Sequence, residues 1–164
     1  MGVIDESGIL ALATRLQRLA ERIRKDGAHI YQAHGINFEP KWFPVIYTLN
    51  YKTPLSIVEL ATEIGYSHPS TISLLKELEK LKIIRSTKDK TDERKRLVQL
   101  TEKGKSIIVQ MKPVWQVMIA ATAQLINTQN NLMKAIEEVE QQMEIQGFYQ
   151  RAKVIKAESD FNNK

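Results

Sequence analysis

The sequence predicts a mainly α-helical fold with a small β-wing, and three observations carry that prediction. Two short amphipathic helical patterns meet at Gly65, a charged β-like ribbon follows the second, and long helical patterns flank this block on both sides. Helix, turn, helix, ribbon is the order of a winged helix-turn-helix. The block runs from Ser56 to Gly104.

The chain has 164 residues, 43% hydrophobic and 26% charged, which suits one domain with a proper core. No apolar run approaches the roughly 18 residues that a membrane helix needs. The first residues lack the basic start and cleavage site of a secretory signal, so a cytoplasmic location is expected. With no cysteine, disulfides, thiolate metal sites and thiol redox sensing by this chain are excluded.

Ile9, Leu12, Leu16, Leu19 and Ile23 are spaced 3, 4, 3 and 4, giving a helix with one narrow apolar seam. Arg15, Arg18, Arg22 and Arg24 fall on its remaining faces, and Gly27 is expected to disturb or end it. Such a seam suits helix–helix association, within the fold or between subunits. Six of the eleven aromatics then lie between Tyr31 and Tyr51. Gly35 and Pro40 mark a break, with helix resuming near Pro40. These aromatics read as core, or as the wall of a ligand pocket with Tyr31, His34, Trp42 and Tyr47 as its polar tips.

Tyr51 to Pro54 reads as a turn. Ser56 with Glu59 forms a capping box, Ile57, Leu60, Ala61 and Ile64 line one face, and Gly65 ends that helix. Ser67 caps the next helix, expected over about 67–81, with Pro69 in its first turn. Ile72, Leu75, Leu78 and Leu81 read as its core stripe, leaving His68, Ser70, Thr71, Ser73 and Lys76 on the other faces. Capping explains Ser67 well, and explains less well four hydroxyls within seven residues. Small hydroxyls let backbone approach a groove and bond phosphates or base edges.

The wing is expected over about 85–100, with a polar tip from Asp89 to Glu93 and Val98 and Leu100 alternating with Leu97 and Gln99. From Lys82 to Lys105 there are nine cations, among them Lys88, Lys90, Arg94, Lys95 and Arg96, against four anions; this is the whole net charge of +5. A charge run is usually a solvated face. One that holds all the net charge beside a helix-turn-helix reads as a phosphate-facing surface. Arg94 near the tip suits a minor groove, and Asp92 suits bracing a neighbouring cation. Thr101 caps a long helix that Pro113 should kink unless it restarts there. The last segment places Leu132, Ile136, Val139 and Met143 on one face, is interrupted at Gly147, and frays from Glu158.

Residues 56–84 followed by Asp92-Glu-Arg94 running into Val98-x-Leu100-Thr101-x-x-Gly104 resemble the MarR family of bacterial transcriptional regulators. The resemblance covers residues 40 to 110 and is architectural outside them. It implies an N-terminal helix and aromatic segment over 1–39, a DNA-binding lobe over 40–110, and C-terminal dimerisation helices over 111–164. It implies a homodimer reading successive major grooves of double-stranded DNA at a pseudo-palindromic site. Pro69, Ser70, Thr71, Ser73 and Lys76 fall on the recognition helix, and Asp92 and Arg94 at the wing tip. Where the family has glycine this chain has Lys82, which must turn left-handed or end the helix differently. The resemblance also implies a small aromatic or anionic effector near the aromatic segment. Metal-sensing members need His and carboxylate clusters; His29, His34 and Glu39 are the candidates, and neither a metal nor any cofactor is expected.

Two other classes bear on the same residues. A winged helix also docks proteins, so an interaction module without sequence-specific DNA binding is the alternative. An enzyme is not expected, because the sequence carries no phosphate loop, zinc-protease pair, nucleophile elbow or paired carboxylates.

Overall fold

The computed structural model describes residues 2–89, 91–92 and 95–162, apart from the Asn162 side chain. Lys90 and Arg94, both expected at the wing tip, lie outside the described residues. In chain order the elements are α1 (Val3–Glu6), α2 (Leu12–Ala33), α3 (Phe43–Tyr51), β1 (Leu55–Ser56), α4 (Ile57–Ile64), α5 (His68–Lys80), β2 (Ile84–Lys88), β3 (Arg96–Leu100), α6 (Glu102–Leu125), α7 (Leu132–Ile145) and α8 (Phe148–Asn162). Short 3-10 turns at Gly8–Ala11 and Pro40–Trp42 lead into α2 and α3. The chain divides into two units, residues 1–118 and 119–164. No described helix is long and apolar enough to cross a membrane.

The first unit holds the core. Val45, Ile46 and Leu49 of α3, Leu60 of α4, Leu74, Leu75 and Leu78 of α5, Ile84 and Val98 of the ribbon, and Ile108, Met111 and Val114 of α6 are all buried together. The sheet is three-stranded and antiparallel in the order β1-β3-β2. Leu55 pairs with Val98 and Ile84 with Leu100, so Ile84, Val98 and Leu100 share the inner face. β1 was not foreseen, because two residues carry no alternation to read.

Each α4 signal is realised. Ser56 Oγ accepts from the Glu59 N–H at 3.3 Å, and the Glu59 carboxylate accepts from the Ser56 N–H at 2.8 Å. Those bonds hold the Glu59 carboxyl below its ordinary pKa. Gly65 closes the helix at φ +68°.

Other expectations need correction. α2 runs straight through Gly27, which is buried; a Cβ there would lie 3.5 Å from Met118 and 3.6 Å from Pro40, in ordinary van der Waals contact. The helix ends instead at Ala33 and is closed by Gly35 at φ +70°, where Ile36 N–H reaches the Tyr31 carbonyl at 2.9 Å and Gly35 N–H the Gln32 carbonyl at 3.0 Å. α6 does not restart at Pro113 but carries it inside one continuous helix. The tail does not fray at Glu158, since α8 continues to Asn162.

The second unit contains the end of α6, then α7 and α8. Asn131 caps α7 by accepting from the Lys134 N–H at 3.1 Å, and Gly147 separates the two helices as expected. No residue of α7 is buried, and Met133, Val139, Met143, Ile145, Phe148, Tyr149 and Ile155 are exposed.

Candidate nucleic-acid interface

Ser67 starts α5 by accepting from the Ser70 N–H at 3.3 Å, and its hydroxyl lies 2.8 Å from that of Ser70. Behind them Thr71, Leu74, Leu75 and Leu78 form the buried stripe. This corrects the expected one. A spacing of three drifts by about 60° per step around a 3.6-residue helix, so Ile72 and Leu81 end about 180° apart. Leu81 is exposed and Ile72 half-buried. Thr71 is drawn inward with no exposed surface, and its hydroxyl donates to the Ser67 carbonyl at 3.1 Å. It therefore presents no side chain to a groove. His68, Pro69, Ser70, Ser73 and Lys76 are all exposed, on the faces that the core does not use.

The turn from α5 into the wing closes as the end of α2 does. Ile83 N–H reaches the Leu78 carbonyl at 3.0 Å and Lys82 N–H the Glu79 carbonyl at 2.9 Å. Lys82 takes the left-handed conformation, φ +57°, the first of its two alternatives. Around this turn the next helix is moulded. Thr101 Oγ1 donates to the Lys82 carbonyl (2.7 Å), Lys103 Nζ to the Leu81 carbonyl (2.8 Å), and Gly104 sits so close to Ile83 that any side chain would collide with its carbonyl oxygen.

In the wing, Lys88 stands directly opposite Arg96, and Lys88, Lys95 and Arg96 are exposed. Like charges at opposed positions weaken a ribbon. A polyanion would offset that repulsion. Asp89 organises the tip: its carboxylate accepts from the Thr91 N–H and hydroxyl, both at 2.7 Å, which lowers its pKa. The Asp92 carbonyl accepts from the Lys95 N–H at 2.9 Å.

The expected effector residues fall into separate settings. Tyr31 and Trp42 are buried in an edge-on stack through Phe38, with centroids 5.0 and 5.6 Å apart. Their polar tips are taken: Trp115 Nε1 donates to Tyr31 Oη at 2.9 Å, and Trp42 Nε1 donates to Glu77 at 3.0 Å. Burial raises the Tyr31 pKa. Tyr31 and Trp42 are core residues, correcting their reading as pocket walls. His34 is exposed at the end of α2, its Nδ1 2.9 Å from the Ile30 carbonyl. Tyr47, 41% exposed, borders a concavity of about 260 Å³ with Thr48, Tyr51, Lys52 and Glu63. The Tyr51 hydroxyl beside it raises the Tyr47 pKa. Tyr51, Lys52 and Glu63 had no sequence signal as a group, because a turn separates them and only folding pairs Lys52 with Glu63 at 2.7 Å. Among the described residues no His, Asp and Glu group is arranged to hold a metal.

A model of the MarR family matches residues 34–95, from the end of α2 through the helix-turn-helix to the wing tip. Over that stretch the chain is similar to the MarR family. That family consists of DNA-binding transcriptional regulators. No curated protein matches this chain in sequence. Solved structures match in shape. The Mycobacterium tuberculosis regulator MosR in complex with DNA superposes with a TM-score of 0.69 at 17% identity, over 81% of this chain and 96% of that one. The Sulfolobus solfataricus regulator BldR gives 0.63 at 18%, over 87% and 99%. Bordetella bronchiseptica BpsR, whose DNA binding is regulated by 6-hydroxynicotinic acid, gives 0.57 at 20%, over 79% and 98%. At these identities the likeness shows a common MarR-type winged-helix fold.

Proposed function

We propose that this MarR-type chain acts in the cytoplasm as a homodimer that reads a pseudo-palindromic operator and represses transcription until a small aromatic or anionic effector binds. The reading head is α5 with the wing. Its support is the exposed set His68, Pro69, Ser70, Ser73 and Lys76 beside the exposed wing cations Lys88 and Lys95. A protein-docking winged helix would not need its entire net charge gathered there. The DNA complex of MosR is consistent with this use of the fold.

Dimerisation is supported by uncovered apolar surface on the terminal helices. Leu12, Leu16, Leu19 and Ile23 on α2 are exposed in the single chain, as are the apolar residues of α7 and α8. A second copy is the partner that would cover them, and two copies set two recognition helices one DNA turn apart. The effector reading is supported by BpsR, whose DNA binding is regulated by an aromatic acid, and by the concavity beside Tyr47, where an effector would meet the Lys52–Glu63 ion pair. Its volume, about 260 Å³, suits only a small molecule.

Selection of bound fragments from the source genome, with and without candidate aromatic acids, tests this. An enriched sequence with two-fold symmetry, released by one of the acids, is expected. Absence of any enriched fragment would remove the DNA reading and favour protein docking.

A further inference from the structure

Glu79, Ser86 and Arg96 form a chain that ties the last turn of the recognition helix to both wing strands. Ser86 Oγ donates to Glu79 at 2.5 Å and accepts from Arg96 Nε at 3.3 Å and Nη2 at 3.1 Å; Nη2 also reaches the Ser86 carbonyl at 3.4 Å. One hydroxyl thus has its proton and its lone pairs all engaged, between a carboxylate and a guanidinium that polarise it in the same sense. The chain's position matters. The root of the wing is already fixed by the turn at Lys82 and by Thr101, but β2 and β3 project from that root. Ser86 is the middle residue of β2 and Arg96 the first of β3. The bonds therefore act on the projecting part of the ribbon, where a small change of angle moves the tip most.

We infer that Glu79 and Ser86 are positioning residues for DNA reading, and that Arg96 works chiefly as their brace and not as a phosphate contact. The brace makes recognition helix and wing present themselves to the two grooves as one rigid body. Fixing that angle before binding removes an ordering cost that would otherwise weaken the specific complex. All three side chains lie at the surface, where such bonds add little to folding, so the effect belongs to binding and not to stability.

The inference rests on the DNA-reading proposal and is tested with the full-length protein on its selected operator and on random duplex. Ser86→Ala, Glu79→Gln and Arg96→Gln are each expected to weaken operator binding about three- to tenfold, the range of one hydrogen bond, with melting temperature unchanged. For the charge-neutral Ser86→Ala, random-duplex affinity and the salt slope should stay as in the parent. The double variant Ser86→Ala/Arg96→Gln should be no weaker than either single, because both cut one chain. Ser86→Thr, which keeps the hydroxyl on a strand-favouring residue, should restore binding. Parental operator binding by Ser86→Ala, or additive losses with a salt slope reduced by about 1 in Arg96→Gln, would overturn the brace and make Arg96 a phosphate contact. If the parent protein shows no salt-sensitive DNA binding, the functional proposal itself fails, independently of the brace.

Discussion

The reading lobe and the terminal helices are built from similar amphipathic patterns and put them to opposite uses. In α4, α5 and the ribbon the apolar stripe is closed inside one chain, with Leu60, Leu78 and Val98 wholly buried. In α2 and α7 the stripe is left open: Leu12, Leu16 and Leu19 are exposed, and α7 buries nothing. The lobe closes its apolar surface within one chain, while these helices leave apolar surface exposed, which the proposed dimer would cover. The arginines 15, 18 and 22 that border the α2 stripe add that its partner face should not itself be basic.

The largest effect is expected inside the lobe. Gly104→Val should cost on the order of 3 kcal/mol or prevent folding, because its side chain would meet the Ile83 carbonyl, which is backbone and cannot give way. Thermal unfolding measures it. Next is Leu16→Glu with Leu19→Glu, expected to raise the dimer dissociation constant about a hundredfold, since each copy would lose on the order of 1–2 kcal/mol of burial. Sedimentation should then show a folded monomer; loss of the fold itself would mean that the stripe belongs to the lobe.

A smaller change is expected at the recognition-helix end. Lys82→Gly relieves a left-handed residue costing roughly 1–2 kcal/mol but loosens the unfolded chain, for a net gain of about 0.5–1 kcal/mol by chemical denaturation. Acid should act more gently still. Glu59, Glu77 and Asp89 have depressed folded pKa values, through bonds from Ser56, from Lys41 and Trp42, and from Thr91 respectively. Their stabilisation is complete above the unfolded carboxylate pKa of about 4 and is lost as pH falls through the lower folded values. The melting temperature should therefore decline only below about pH 4.5, and Glu59→Gln should flatten that decline.

Much of the lobe was legible because its signals are local. Ser56 with Glu59, Ser67 with Pro69, and Gly65 each state a helix boundary in one or two residues, and each boundary stands where it was read. What escaped was whatever depends on rotation or on distant partners. Reading α5 with a step of three placed Thr71 outside and Leu81 inside, when 3.6 residues per turn demands the reverse. Gly27 looked like a helix breaker because its packing partners, Met118 and Pro40, are far away in sequence. Tyr31 and Trp42 looked like pocket tips because nothing local announces Trp115 or Glu77 as their partners. The Glu79–Ser86–Arg96 chain escaped for the same reason: the hydroxyl and its two charges lie on three different elements.

The decisive quantity is the salt dependence of operator binding, compared between the parent protein and Lys76→Gln. A steep fall of affinity with salt is expected for the parent, with a slope of several units, and a loss of about tenfold for the variant on the operator at unchanged fold. An affinity flat in salt, or equal operator binding by parent and variant, would contradict a reading head made of α5 and the wing.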